Sequence, residues 1–169
     1  MEQLINALPS LLKKQQELDD FIMRERFLTH DETIEHRKLA FVVELAELAQ
    51  EWRGFKYWSD NQQPSDKMLE EYVDVLHFAL SLHNYYNGDT ELVITALSGC
   101  LKTLKLNAQD ESMAFINVME RSRSREWAEG VALLYVIAIG RILELNGDDI
   151  LKEYDRKYQI NIERQNNGY

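Results

Sequence analysis

Residues 41–52 read FVVELAELAQEW and residues 69–82 read LEEYVDVLHFALSL, and these two segments decide the fold class. In both, apolar residues recur every three or four positions, which is the period of an α-helix with one buried face. Each segment also contains two acids spaced so that both lie on one side of a helix, about one turn apart. The four acids are Glu44, Glu47, Glu71 and Asp74. The segments therefore predict two helices that carry paired carboxylates.

The helical period continues on both sides of these segments. A first helix is predicted to open near Pro9, because proline is favoured in the first turn of a helix. Thr29 and Glu32 form the capping-box pattern, which predicts that the second helix begins there and runs towards Trp52. Residues 54–65, GFKYWSDNQQPS, indicate a loop whose last residue, a serine, can cap the third helix.

Four more helices are predicted after the third. They span 91–106, 110–121, 126–145 and 148–162, and Gly147 is placed as a helix C-cap. The sequence has no repeat, low-complexity tract or interdomain linker. We therefore expect a single all-α domain over residues 1–169, built as a helical bundle.

The composition excludes several classes of protein. Of the 169 residues, 45% are apolar, which is enough to build a buried core. The formal net charge of −10 argues against sequence-independent binding of nucleic acid, which depends on Lys and Arg. The lone Cys100 excludes an internal disulfide and a cysteine-based zinc site, and it indicates a reducing compartment.

Neither secretion nor membrane insertion is expected. The first residues, MEQLINALPSLLKK, lack the basic start, long apolar run and cleavage site of a signal peptide. The longest apolar run, residues 131–139, is shorter than the roughly 18 residues that indicate a membrane span, so it predicts a buried core helix. We therefore expect a cytoplasmic protein without a membrane partner.

The paired acids stand among apolar residues instead of beside cations. Glu44 is followed at i+4 by Leu48, and Asp74 by Phe78, so neither acid has a Lys or Arg partner one turn along its helix. Acids that converge between two helices need a cation or raised pKa values. Oxygen ligands alone suit a hard divalent ion, so Mg²⁺ is the expected metal, with Mn²⁺ as an alternative.

Two other interpretations of the acids stay open at this point. In the first they are ordinary surface acids on amphipathic helices, since Glu-x-x-Glu spacings are common. In the second they belong to a di-iron bundle, which normally has two Glu-x-x-His motifs. Only residues 74–77, DVLH, come near such a motif, so the sequence favours the hard divalent ion over iron.

The C-terminal segment offers cations at helical spacing. Lys157, Asn161 and Arg164 fall on one face of a helix, where two cations and an amide can serve phosphates and the edge of a base. The alternative is a solvated charged face near the end of a helix.

These features resemble the all-α NTP pyrophosphatases, a superfamily that includes the dimeric dUTPases, the MazG-type enzymes and the dCTPases. Three segments resemble the dimeric dUTPases in particular, in the form common to Gram-positive bacteria and their phages: ELAELAQEWRGFKYWS, LEEYVDVLHFALSL and YDRKYQINIERQNNGY. The closing pattern KxxxNxxRQxxGY, from Lys157 to Tyr169, is the most specific of these marks. The matching segments lie between Gln16 and Tyr169.

The resemblance implies a homodimeric enzyme that hydrolyses dUTP, and dUDP as well, at the α-phosphate to give dUMP. It implies that Glu44, Glu47, Glu71 and Asp74 hold Mg²⁺. One of the first pair, Glu44 or Glu47, would orient or deprotonate the attacking water. Metal ions stabilise charge on phosphoryl oxygens, so no covalent nucleophile is needed.

The resemblance also implies a set of substrate contacts. Lys157, Arg164 and Tyr169 match phosphate contacts, and Asn161 matches a contact to the uracil or the deoxyribose. The remaining contacts are Gln16, Asp19, Lys56, Trp58 and His77. Asp19 occupies a position where many relatives have Asn. His77 matches a histidine near the sugar, although a hydrogen-bonded core histidine is an alternative interpretation, and Trp58 can stack on a base or pack as a lid.

Two other functions remain as alternatives. One is a MazG-like nucleoside triphosphate pyrophosphohydrolase of different specificity. The other is a non-enzymatic helical interaction protein whose acidic surface engages a basic regulator.

Overall fold

Two antiparallel helices, α2 (His30–Trp52) and α3 (Met68–Tyr85), form the centre of the fold in a computed structural model that describes residues 1–100, 108–121 and 131–168. The other helices are α1 (Glu2–Arg26), α4 (Thr90–Cys100), α5 (Ala108–Arg121), α6 (Ala132–Ile142) and α7 (Gly147–Asn166). Within those described ranges no strand occurs, and the predicted all-α class is confirmed. None of the described helices is both long enough and apolar enough to cross a membrane.

Helix α3 is the element on which most of the others pack. It contacts α2 most extensively, and it also contacts α1, α6 and α7. Both helices contribute large apolar side chains with exposures of 0–1% to the hydrophobic core: Phe41, Leu45 and Leu48 on α2, and Tyr72, Val73 and Leu76 on α3. This packing sets which face of each helix turns inward, and it therefore sets where the acids beside those residues lie.

The capping box that begins α2 is confirmed. The Thr29 hydroxyl accepts a hydrogen bond from the Glu32 backbone N–H at 3.3 Å, and a Glu32 carboxylate oxygen accepts one from the Thr29 N–H at 2.8 Å. The turn before it begins at Phe27, which has the left-handed backbone conformation (φ 55°) that ends α1. Local residues alone therefore define the corner between α1 and α2.

Three details of the predicted boundaries were wrong. Helix α1 begins at Glu2 and contains Pro9, because burial of Leu4 and Leu8 stabilises the turns that precede the proline. Gly147 is the first residue of α7, whose cap is Asn146. The Asn146 side-chain oxygen accepts hydrogen bonds from the backbone N–H groups of residues 148 and 149. A Cβ on Gly147 would lie 2.8 Å from the backbone nitrogen of Met1, so glycine fits this close approach.

Ser65 does not sit at the N-cap of α3, which begins three residues later without a side-chain cap. Instead its hydroxyl hydrogen-bonds the Glu51 carboxylate, and its backbone N–H donates to the Glu51 carbonyl at 2.9 Å. The loop after α2 is thus fastened back onto that helix. Of the predicted helices, parts of 91–106 and 126–145 lie outside the described residues.

Gly140 allows α6 to approach the fully buried Tyr72. The Tyr72 hydroxyl donates to the Val136 carbonyl at 3.2 Å, and a Cβ at position 140 would overlap the Tyr72 ring and hydroxyl. We expect Gly140→Ala to lower the free energy of unfolding by about 1–3 kcal/mol, because both the ring and the helix backbone are fixed in the core. Urea denaturation measures this change.

Gly99→Ala is the matched control. A Cβ at this α4 position meets none of the described residues within 4 Å, so alanine is expected to leave stability unchanged or raise it by up to about 1 kcal/mol through helix propensity. Equal effects of the two substitutions would contradict the close approach of α6 to Tyr72.

Candidate functional site

Three carboxylates converge where α2 packs on α3. One oxygen each from Glu44, Glu47 and Glu71 lies within 4.8 Å of the other two. The i, i+3 spacing on each helix and the antiparallel packing together produce this cluster. Oxygen atoms at such separations can share one hard divalent cation, so the donor set fits Mg²⁺ or Mn²⁺.

The cluster is electrostatically unfavourable without a cation. Burial, together with the charges of Asp74, Glu47 and Glu71, raises the pKa of Glu44 to about 7. Burial also raises the pKa of Glu71, again with contributions from Asp74 and Glu47. Glu44 and Glu71 therefore hold their protons more tightly than in water, and a bound cation would relieve the repulsion.

The fourth predicted acid, Asp74, is paired with a lysine of α7. The Lys157 Nζ lies 2.6 Å from Asp74 Oδ2 and 2.9 Å from Glu70 Oε1. Burial raises the pKa of Asp74, and its hydrogen bond to Lys157 acts in the opposite direction. The lysine thus neutralises part of the acidic charge and connects α7 to the carboxylate cluster.

A cavity of about 330 Å³ extends from these carboxylates between α1, α2, α3 and α7. Seven of the sequence-predicted site residues line it: Asp19, Glu44, Asp74, His77, Lys157, Asn161 and Arg164. Cations and carboxylates therefore share one cavity, and a polar, polyanionic ligand can reach both.

Gln16, which the sequence assigned to the substrate, does not line the cavity. Its amide NH₂ donates to Asp20 Oδ1 at 2.8 Å on the outer side of α1. The preceding residue, Gln15, takes the inward position and is 4% exposed. The buried leucines of α1, which include Leu8 and Leu11, recur with the helical period. Extending that period along the sequence identifies Gln15 as the glutamine that faces inward.

Gln15 organises the polar wall of the cavity. Its NH₂ group donates to Asp19 Oδ1 at 2.8 Å, and its carbonyl oxygen accepts from the Tyr154 hydroxyl at 3.1 Å. The same oxygen lies 2.7 Å from His77 Nδ1. Burial lowers the pKa of His77 to about 3, so this ring is neutral and donates its Nδ1 proton to Gln15.

Arg37 is a cavity residue that the sequence reasoning missed. It is 6% exposed, lies seven residues before Glu44 on α2, and donates from Nη1 to the Ser81 hydroxyl at 3.0 Å. Its Nη1 also lies 3.6 Å from Asp19 Oδ2. The signal in the sequence is the helical period, since positions 37 and 44 share one face of α2.

Lys56 and Trp58 lie on the loop after α2 and do not line the cavity. The Lys56 Nζ donates to the Gln50 carbonyl at 3.1 Å, and the Trp58 side chain is 65% exposed with its ring edge-on to Phe55. Tyr169 lies outside the described residues. The structure therefore brings most of the predicted helical residues together, and it leaves Gln16 and the two loop residues outside the cavity.

An all-helical fold with a carboxylate cluster beside a cationic cavity defines the class expected from the sequence, an all-α nucleotide hydrolase. Comparison with protein families matches residues 7–169 to the dUTPase family, and the chain belongs to that family. Its activity is accordingly that of a dUTP diphosphatase. A comparison with curated proteins finds no significant match. Family membership favours this activity over the non-enzymatic alternative.

The raised pKa of Glu44 makes the stability of the metal-free protein depend on pH. A carboxyl group whose pKa rises from 4.5 to about 7 on folding favours the folded state when protonated, so this contribution is lost as the pH rises through that interval. In a chelating buffer we expect the free energy of unfolding to fall by on the order of 1 kcal/mol between those pH values, an amount already reduced for partial solvent exposure. Denaturant titration across this range measures it.

Glu44→Gln is expected to flatten this dependence because it removes the titrating group. Glu35→Gln is the control, since Glu35 lies on the same helix with a side chain that is 78% exposed. An unchanged slope in the Glu44 variant would contradict the assignment.

Proposed function

We propose that the protein hydrolyses dUTP, and dUDP as well, at the α-phosphate in a Mg²⁺-dependent reaction. The products are dUMP and pyrophosphate from dUTP, and dUMP and phosphate from dUDP. The observation that carries this proposal is the three-carboxylate cluster of Glu44, Glu47 and Glu71, which meets the cavity through Glu44, while Lys157 and Arg164 line the same cavity. Mn²⁺ fits the same donor set.

The two ends of the cavity differ in chemistry, and this difference orients the substrate. On α2, Arg37 lies seven residues from Glu44, and on α3, Ser81 lies seven residues from Asp74, which corresponds to about 10 Å along each helix. The phosphates belong at the carboxylate end, where cations can gather. The nucleoside then extends towards the end formed by Arg37, Ser81 and Asp19.

The acids of α2 and α3 would hold the metal and handle the proton of water. A bound divalent cation supplies charge stabilisation at the phosphoryl oxygens and makes water more acidic. Glu44, whose pKa burial raises, and the more exposed Glu47 are the two candidates to accept the proton of the attacking water. Lys157 and Arg164 of α7 would contact the phosphates.

We infer a cytoplasmic homodimer from the same family resemblance. The exposed side chains of Leu39 and Val43, one turn apart on the outer face of α2, support an interface between two copies. The lone Cys100 supports a reducing compartment.

Release of pyrophosphate tests the proposed substrate. With Mg²⁺ present, we expect turnover of dUTP to exceed that of dCTP, dTTP and UTP by at least about 100-fold, and a chelator to abolish it. Equal turnover of the four nucleotides would instead favour a MazG-like enzyme of broad specificity. Activity that persists in the chelator would contradict the role of the carboxylate cluster.

Glu47→Gln is expected to reduce turnover by at least about 100-fold while the metal-free protein stays folded, because the substitution removes a ligand and one repelling charge. Steady-state kinetics and thermal melting in a chelating buffer measure the two effects. Glu35→Gln should leave both unchanged. A marked loss of stability in the metal-free Glu47 variant would show that this acid has a structural role.

The neighbouring glutamines of α1 provide a matched pair. Gln15→Ala should raise KM for dUTP by about tenfold or more, since it removes a buried amide that holds Asp19 and His77. Gln16→Ala should change KM by less than about twofold, as is usual for a surface position. A larger change in KM for Gln16→Ala than for Gln15→Ala would instead support the contact between Gln16 and the substrate that the sequence analysis expects.

A further inference from the structure

Arg37 makes an unusual number of contacts for a buried cation. Its Nε and Nη2 donate to the Thr33 hydroxyl at 3.2 and 2.9 Å, and Nη2 also donates to the His30 carbonyl at 3.2 Å. Its Nη1 donates to Ser81, as described above. With its donors used inside the protein, the guanidinium has little capacity left for a ligand, and its effect on the cavity must act through its neighbours.

The neighbour that matters most is Asp19. Among the described residues, it is the carboxylate that forms an ion pair with Arg37, and both side chains are less than 10% exposed. A guanidinium does not lose its proton, so a neutral Asp19 would leave a buried cation without a counter-charge. Although burial raises the pKa of this acid, we therefore assign Asp19 as ionised while Arg37 is present.

Ionisation fixes the direction of the hydrogen bonds along the cavity wall. A carboxylate only accepts, so Gln15 turns its NH₂ group to Asp19 Oδ1 and its oxygen to His77. Of the three buried side-chain atoms without a hydrogen-bond partner in the described part of the chain, two belong to residues that line this cavity, Asp19 Oδ2 and His77 Nε2. Both are acceptors, so this end of the cavity favours a ligand that brings donors.

We propose that Arg37 is a positioning residue for base recognition, which holds Asp19 as an acceptor for the N3–H group of uracil. The proposal rests on the proposed function, because it takes dUTP as the substrate and places its base at the Arg37 end. Uracil carries a hydrogen on N3, whereas cytosine has a lone pair there that would face the carboxylate. Asp19 and Arg37 together thus select uracil over cytosine. Thymine carries the same N3–H group, so its exclusion needs another feature of the site.

The test is the ratio of kcat/KM for dUTP to that for dCTP. In Arg37→Met the carboxylate loses its counter-charge and becomes protonated in its buried site, so Asp19 gains a donor that suits cytosine. We expect the ratio to fall by about tenfold or more, chiefly through KM for dUTP, as for the loss of a charge-assisted hydrogen bond. Arg37→Lys keeps the positive charge and should keep the ratio within about threefold of the wild-type value.

The double variant Asp19→Asn/Arg37→Met keeps the test valid if Arg37→Met does not fold. It removes both charges, so it should regain the thermal stability that either single substitution loses. Its ratio should still fall by about tenfold, since an amide can offer either its oxygen or its NH₂ group to the base. Lys38→Met, which removes the adjacent cation paired with Glu35, should leave stability and ratio unchanged.

The outcomes separate the inference from the function on which it rests. If the wild-type protein does not hydrolyse dUTP, the proposed function fails. If the wild-type protein prefers dUTP to dCTP and both folded variants that lack the positive charge, Arg37→Met and the double variant, keep the same preference, then Arg37 is only structural and the inference is overturned. A reduced ratio in Arg37→Met and in the double variant, with the ratio kept in Arg37→Lys, supports it.

Discussion

The packing of α2 against α3 is the constraint from which the rest of the site follows. Each buried leucine or aromatic side chain at this contact stabilises the fold by about 1.5–3 kcal/mol, and several of them act together. They position Glu44 and Glu71 beside each other at the edge of the core. Repulsion among partly solvated carboxylates is smaller than this apolar gain, so the fold can keep like charges together without a cation.

Helix α7 offsets part of that repulsion from the far end of the chain. It packs on α1 and α3 and brings Lys157 against Asp74 and Glu70. The lysine is therefore both a structural partner of the acids and one of the cations lining the cavity. A ligand with phosphate groups offers the lysine an alternative partner, and in the proposed function the metal offers one to Asp74.

Features specified by nearby residues could be predicted from the sequence, and features set by tertiary packing could not. The Thr29 capping box and the two pairs of acids depend on spacings of three residues, which are readable directly. The structure places Gln15 and not Gln16 in the cavity wall, because the rotation of α1 is decided by what it packs on. Arg37 was missed because its partners, Asp19 and Ser81, are brought to it only by the folding of α1 and α3 onto α2.

The two ends of the cavity differ in how their charges are balanced. In the proposed function, the base is recognised at one end and the phosphates react at the other. At the carboxylate end, the negative charge exceeds what Lys157 neutralises, and in the proposed function a divalent cation from solution balances the rest. At the other end, Arg37 and Asp19 neutralise each other. That end therefore offers a ligand hydrogen-bonding groups of fixed direction instead of a net charge. Because helical positions separate the ends by about 10 Å, the proposed role of Arg37 in base selection is independent of the proposed role of the acids at the phosphates.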